Sequence, residues 1–310
     1  MPAPPTAAQI RDVNVRYHDA AATEYDGKWG IDFGPTGRAQ VRSKLRKALG
    51  GGQLPVFERG LEIGAGTGYF ALNLMRAGVV REAVCTDIST GMLATLRAHA
   101  AELDLEVRTL VGEAEHLDLP DESFDLVFGH AVLHHLPDLE RAFAEFHRVQ
   151  RPGGTLAFAG EPSSYGDRLA SVPKRSALAL APLWRRAMRA APSTPEGNGT
   201  PGNGRPVGGD HGMEFSVDVH AFSPADLRRL ARGAGFERPR VGGEELLASW
   251  FGWANRTLES TADPNDVPWL WRQYAYRGYL LLQQVDRRLL EGRLPPEAFY
   301  NLVLSARRPG

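Results

Sequence analysis

Residues 61 to 68 read Leu61-Glu62-Ile63-Gly64-Ala65-Gly66-Thr67-Gly68, an apolar run with one carboxylate that closes on three alternating glycines. Glycine tolerates positive φ, and without a Cβ it lets a ligand approach the backbone closely. Tyr69-Phe70-Ala71-Leu72 follows, so the stretch predicts a β-strand that turns tightly into a helix. The start of such a helix aims unpaired N–H groups into the turn, where an anionic group is favoured. A second apolar run, Ala83-Val84-Cys85-Thr86, ends at Asp87. An acid about twenty residues past the glycines can accept hydrogen bonds from both hydroxyls of a ribose. Acids also cap helices, but glycine turn and acid at this separation are more specific together than either alone. The chemistry indicated is nucleotide binding.

Spacing narrows the nucleotide. A dinucleotide turn follows Gly-x-Gly-x-x-Gly, whose third glycine would fall at Tyr69, whereas here glycine stands at Gly68. The pattern is acidic-x-Gly-x-Gly-x-Gly, and it resembles the first motif of class I S-adenosylmethionine-dependent methyltransferases. Further segments extend the resemblance: Asp87; Glu113 after the third apolar run; Leu119-Pro120-Asp121-Glu122-Ser123-Phe124-Asp125-Leu126-Val127-Phe128, an acidic turn feeding a strand; and Gln150-Arg151-Pro152-Gly153-Gly154, close to the family's turn before its fifth strand.

The resemblance implies S-adenosyl-L-methionine as cofactor. It puts Gly64, Ala65, Gly66 and Gly68 around the methionine part and Glu62 at the ammonium end. Asp87 falls on the ribose, Ile88 and Met92 against adenine, Glu113 and Ala114 at the adenine edge, and His130 beneath the sulfonium end. Aspartate is the commoner residue at the position of Glu113, which departs by one methylene.

Three residues are candidate bases toward a methyl acceptor: His134, His135 and Glu161. His titrates nearest neutral pH, and Glu161 leaves the fifth strand at the same edge. His134 and His135 are adjacent, so a helical turn points them apart and they cannot face one metal; with no acid-rich helix motif around them, no metal is expected.

Elements able to position these groups follow from periodicity. Strand and helix alternate from Leu61 to Ala159, which predicts an α/β fold with a doubly wound, mostly parallel, Rossmann-like sheet. The resemblance adds a seventh, antiparallel strand, expected near Phe299–Ala306, and an N-terminal helical lid. The expected divisions are a lid over 1–52, a cofactor-binding core over 53–160 and a variable segment over 161–212. The end of the core sheet over 213–241, a helical insertion over 242–297 and a last strand over 298–310 complete them. Within 191–212 proline, glycine, asparagine and threonine dominate, a composition expected to stay mobile. Ser223-Pro224 predicts a helix start. The resemblance's lid makes Tyr17, Tyr25 and Trp29 candidate substrate contacts, though they could equally pack; Tyr165 joins them as it leaves the fifth strand at the ligand edge, and Trp250 and Trp253 because large amphipathic rings suit a dry pocket wall as well as a core.

Composition sets the outer bounds. The chain has 310 residues with 36 basic and 37 acidic side chains, so no electrostatic footprint for nucleic acid shows. Asn/Asp-Pro-Pro-aromatic, the tetrad of DNA amine methylation, has Gly129-His130-Ala131-Val132 in its place. No apolar run is long enough to cross a bilayer, and the start lacks a signal-peptide core, so a cytoplasmic monomer or homodimer is expected. The lone Cys85 excludes an intrachain disulfide framework. Expected function is methyl transfer to O, N or C of a small-molecule acceptor. Alternatives are a lipid or quinone-like acceptor, or binding of the nucleoside without catalysis.

Overall fold

The computed structural model describes residues 6–22, 25–193 and 219–310, and the side chains of Lys28, Trp29 and Asp167 lie outside the described residues. The elements are α1 (Ala7–Ala21), α2 (Tyr25–Trp29), α3 (Pro35–Ala48), β1 (Phe57–Ile63), α4 (Tyr69–Arg76), β2 (Val80–Asp87), α5 (Thr90–Glu102), β3 (Arg108–Val111), β4 (Phe124–His130), α6 (Leu139–Val149), β5 (Gln150–Pro162), α7 (Ser164–Met188), α8 (Pro224–Gly233), β6 (Glu237–Glu244), α9 (Leu247–Ser260), α10 (Trp269–Val285) and β7 (Asn301–Arg307). Helix starts obey capping chemistry. Ser89 accepts from Met92 N–H, Asp138 from Arg141 and Ser163 from Gly166. Ser223 and Asp226 cap α8 reciprocally, with Pro224 in the first turn.

The strands form one seven-stranded sheet in the order β3-β2-β1-β4-β5-β7-β6. From β3 to β5 all neighbours are parallel. β7 runs against β5: Gly153 N–H donates to the Arg308 carbonyl and Arg308 N–H to Gly154, while ten residues on Ser163 N–H donates to Tyr300. This is the mixed, Rossmann-like sheet with an antiparallel last strand expected from the sequence. Alternation of side chains sends Val127, Phe158, Leu302 and Leu304 to one face, with Phe143 and Phe146 of α6 and Leu227 of α8. Leu126, Phe128, Ala157 and Val303 go to the other face, with Leu45 of α3, Leu74 of α4 and Leu96 of α5. Period two in the strands thus builds two cores around one sheet.

One boundary differs from its expectation. Gln150–Gly154, expected to be a turn, belongs to β5. Gly153 takes φ +75°, and its hydrogen bonds to Arg308 draw the segment into the ladder. A contact with the far end of the chain overrides the local turn signal.

The chain divides into two compact units, one of residues 1–161, 216–242 and 302–310, the other of 162–215 and 243–301. In the second, α9 packs on both α7 and α10 over a small core of Trp184, Ala190, Ala262 and Val267. Most of 191–212 lies outside the described residues; Ala191 and Ser193 form backbone hydrogen bonds with Asp263 and Thr261.

Candidate cofactor and active site

β1 delivers its chain into the glycine turn at the carboxyl edge of the sheet. Gly64, Gly66 and Gly68 take φ of +61°, +53° and +92°, values that L side chains rarely adopt. A Cβ on Gly64 would stand 2.2 Å from Val132 Cγ2, and one on Gly68 2.9 Å from Leu72 and Leu96 side chains. A Cβ on Gly66 would meet nothing within 4 Å. Two glycines are therefore required by packing, and the middle one leaves an open wall. The turn is tied to β2 by Ala65 N–H to the Thr86 carbonyl at 2.9 Å and Gly66 N–H to Asp87 Oδ2 at 2.8 Å. Asp87 Oδ1 accepts from Ser89 N–H at 2.9 Å. Burial raises the Asp87 pKa, opposed by the nearby His18 and by the N–H groups of Ser89, Gly66 and Ile88. Glu62 is buried, and its Oε2 accepts from Ala71 N–H at 3.0 Å. Burial pushes its pKa well up, and the charge of Asp87 adds to this. Cys85 is fully buried with its thiol pushed up by burial, then by Glu62 and Asp87. A poor nucleophile is the result.

The second strand-end loop is held by Glu161. Its side chain is fully buried. Oε1 accepts from Val132 and Leu133 N–H at 3.0 and 3.1 Å, and Oε2 from His134 N–H at 3.3 Å. The same Oε2 stands 2.9 Å from His134 Nδ1. Ala131 takes φ +53° just after β4, a strained conformation of the kind that collects at functional sites. The His134 and His135 rings lie 4.0 Å apart, and His18 of α1 meets His135 edge-on at 5.5 Å. His130 stacks on Phe70 at 5.3 Å, against Gly160, where a Cβ would stand 2.8 Å from its Nε2.

The N-terminal helices close over this edge. Asp19 Oδ1 accepts from Gly91 N–H and Ser89 Oγ. Asp26 accepts from Thr67 Oγ1 at 2.7 Å and faces His99 Nε2 at 3.2 Å. Arg11 Nε lies 3.1 Å from Glu113 Oε2. Reading the motifs alone misses Asp19, Asp26 and His18. The available signal was a run of acids, Asp19, Asp26 and Asp32, ahead of a turn rich in N–H donors.

The site residues expected from the sequence fall into three groups. Glu62, Gly64, Ala65, Gly66, Gly68, Asp87, Glu113, Ala114, His130, His134, His135 and Glu161 lie in the first unit, on strand ends or the loops after them. Ile88 is half-buried there, while Met92 is fully buried in the helix interior. Tyr17 is buried against His18, Tyr25 lies 6.3 Å from the same ring, and the Trp29 side chain is outside the described residues. Tyr165, Trp250 and Trp253 belong to the second unit. There Trp253 stacks under Lys174 and meets Tyr300.

A glycine turn with one open wall, beside a buried acid held by the backbone N–H groups of Gly66, Ser89 and Ile88, fits an adenosine ligand with vicinal hydroxyls. With the strand order, this is the Rossmann-like sheet that class I methyltransferases use, whose cofactor is S-adenosyl-L-methionine. Residues 61–158 match the family described as "Methyltransferase domain".

Over 142 residues the chain is 40% identical to a malonyl-[acyl-carrier protein] O-methyltransferase of Methylococcus capsulatus, covering 45% of this chain and 48% of that one. It is 38% identical over 104 residues to a ubiquinone/menaquinone biosynthesis C-methyltransferase of Dinoroseobacter shibae, covering 32% and 40%. The chain spans about half, or less, of the length of these curated relatives. In fold it resembles phosphoethanolamine N-methyltransferase 2 of Haemonchus contortus, solved with phosphomonomethylethanolamine and S-adenosylhomocysteine. The TM-score is 0.59 and the identity 16%, over all of this chain and 62% of that one.

Proposed function

We propose that this chain transfers the methyl group of S-adenosyl-L-methionine to an oxygen, nitrogen or carbon atom of a small-molecule acceptor. The observation that carries the reading is the junction of the glycine turn with Asp87, where Gly66 N–H meets Oδ2 and the wall opposite stays open. When bound, the cofactor supplies an electrophilic methyl on a cationic sulfur, so the protein's task is alignment and a dry cleft.

The residues divide that task. Gly64 and Gly68 hold the turn, and Gly66 leaves room for the ligand. Asp87 has lone pairs left to receive ribose hydroxyls. Glu62 anchors the first turn of α4 through Ala71 N–H and puts a carboxyl near the ammonium end. Ile88 and Ala114 supply apolar contact to the base, and Glu113, with Arg11, closes its edge. His130 stands on Phe70 beside the glycine turn. Glu161 has four donors on its two oxygens, so it positions rather than reacts. With Nδ1–H given to Glu161, Nε2 is the ring nitrogen of His134 that would take the proton of a hydroxyl acceptor.

A lipid or quinone-like acceptor is the second reading. It is supported by the aromatic-rich second unit and by the likeness to the quinone C-methyltransferase. Binding without catalysis is separated from both by turnover of labelled cofactor in cell extract.

The test is calorimetric titration of S-adenosylhomocysteine into the wild type and Asp87→Ala, with NAD in parallel. Losing two hydrogen bonds to a charged acceptor should cost about 2–4 kcal/mol, roughly thirtyfold or more in affinity. Tight binding of the homocysteine ligand, none of NAD and that loss in the variant are expected. Binding of NAD instead, or of neither ligand by folded protein, sinks the proposal.

A further inference from the structure

The two units expose apolar surface very unequally. Of fifteen large hydrophobic side chains exposed among the described residues, thirteen lie in the second unit. Scattered exposed hydrophobics are ordinary, but contiguous ones mark contact surfaces. α7 shows the pattern most fully. Its Ala170, Ala177, Ala181 and Trp184 are buried. At about 100° per residue, Tyr165, Leu169, Val172, Leu180 and Leu183 fall on one stripe of a different face, and they are 40–67% exposed. Arg168, Arg175 and Arg186, all exposed, follow one edge of that stripe at the same helical spacing. Residues 164–189 carry six basic side chains and one acidic.

The charge of this surface selects its occupant. A 25-residue helix is about 37 Å long, so the stripe and its row of arginines run along a single extended face. A second copy docked antiparallel would bring two arginine rows to one seam, where like charges repel. α10, whose Trp271 lies 5.2 Å from Trp184 of α7, repeats the composition: Trp269, Leu270 and Tyr274 are 54–73% exposed, with Arg272 and Arg277 exposed among them. Leucine for the acyl boundary, tryptophan and tyrosine for the interface and arginine for anionic headgroups is the make-up of an interfacial helix. Among the described residues no helix is long and apolar enough to cross a membrane.

We propose that the second unit docks on an anionic lipid surface through the apolar stripe of α7, with Arg168, Arg175 and Arg186 at headgroup level. The inference goes beyond methyl transfer and stands without it, because its readout needs neither cofactor nor acceptor.

The test is flotation of the full-length protein with vesicles of phosphatidylcholine alone or with one third phosphatidylglycerol. Expected is binding at least tenfold stronger to the anionic vesicles and weakened by salt. Leu180→Asp/Leu183→Asp should abolish it. Each of Arg168→Glu, Arg175→Glu and Arg186→Glu should weaken it about fivefold or more. These positions are exposed, so circular dichroism and S-adenosylhomocysteine affinity should stay at wild-type values. No binding to anionic vesicles, or binding indifferent to Leu180→Asp/Leu183→Asp, overturns the proposal. A concentration-dependent dimer that the same double variant dissolves, without vesicle binding, assigns the stripe to a second copy instead.

Discussion

Asp87 and Glu161 occupy equivalent places, each a buried carboxylate near the carboxyl end of a parallel strand that collects backbone N–H groups from a strand-end turn. Their loads differ. Asp87 accepts one N–H on each oxygen, from Gly66 and Ser89, while Glu161 takes three N–H groups and an imidazole. A carboxylate has about four acceptor positions, so Glu161 is filled by the protein, while Asp87, with Ile88 N–H beside it as well, is filled less completely. Under the proposed function, two acids of the same chemistry at the same edge do different work, one as scaffold and one toward the ligand.

The largest expected effect breaks or keeps that division. Glu161→Ala leaves three buried N–H groups and an imidazole without their acceptor, and should cost about 3–5 kcal/mol of stability. Asp87→Ala strands two N–H groups and should cost less, about 1–3 kcal/mol, while its ligand affinity falls far more. Denaturant unfolding and calorimetry on both variants give the four numbers. Equal stability losses, or a folded Glu161→Ala protein that loses ligand affinity as steeply as Asp87→Ala, would erase the distinction.

Next in size is Gly64→Ala, at the turn that Asp87 helps to hold. Its methyl would enter Val132, the residue whose N–H Glu161 holds, so the substitution strains both loops at once. Positive φ costs about 1–2 kcal/mol and overpacking about 1–3 kcal/mol, so a loss of about 2–4 kcal/mol is expected in unfolding by denaturant. A loss under 1 kcal/mol would mean that the two loops are not packed against each other in solution.

The division between the two acids was only half legible in the sequence. The glycine turn and Asp87 could be read because their job is local, a tight turn and an acid at a fixed separation. The parallel part of the sheet followed from alternation for the same reason, whereas the seventh, antiparallel strand was expected only from the family resemblance. Glu161 stood out only as an acid at a strand end, with nothing to say that its partners lie at Val132 to His134, since that pairing depends on β4 and β5 being neighbours. Asp19 and Asp26 were invisible for the same cause: each acts on a turn some forty to seventy residues away. Glu113 was placed by motif as an adenine reader, and the structure adds Arg11 as its partner from a helix that no motif covers. Met92, expected against adenine, is fully buried. Gln150–Gly154 carried strong turn chemistry and became strand because Arg308 binds it.

Gly66→Ala sharpens the comparison from the ligand side. The position is strained by φ alone, about 1–2 kcal/mol, because no protein atom would meet the new methyl. Any further loss must come from the ligand. Affinity for S-adenosylhomocysteine should fall roughly tenfold or more while Gly64→Ala, once folded, changes it less. Titration of the two variants side by side separates a wall that faces ligand from one that faces protein, and the reverse order would place the ligand elsewhere.

The smallest effect concerns Glu62, the third buried acid of this edge. Its pKa is raised, chiefly by burial and further by Asp87, so the folded chain holds its proton more tightly than the unfolded chain does. Stability should therefore fall as pH rises from the ordinary carboxylate range through the raised value, and be recovered on acidification. Glu62→Gln keeps an acceptor for Ala71 N–H but cannot ionise. The melting temperature of the variant relative to wild type should rise as pH is raised above the ordinary carboxylate range, and the coupled change at Asp87 is part of that gap. Saturating S-adenosylhomocysteine brings an ammonium group that favours ionised Glu62, and the gap should then narrow. Parallel melting curves without ligand would show that Glu62 carries no raised pKa. A gap that ligand leaves unchanged would keep Glu62 as an anchor of α4 and remove it from the ammonium site.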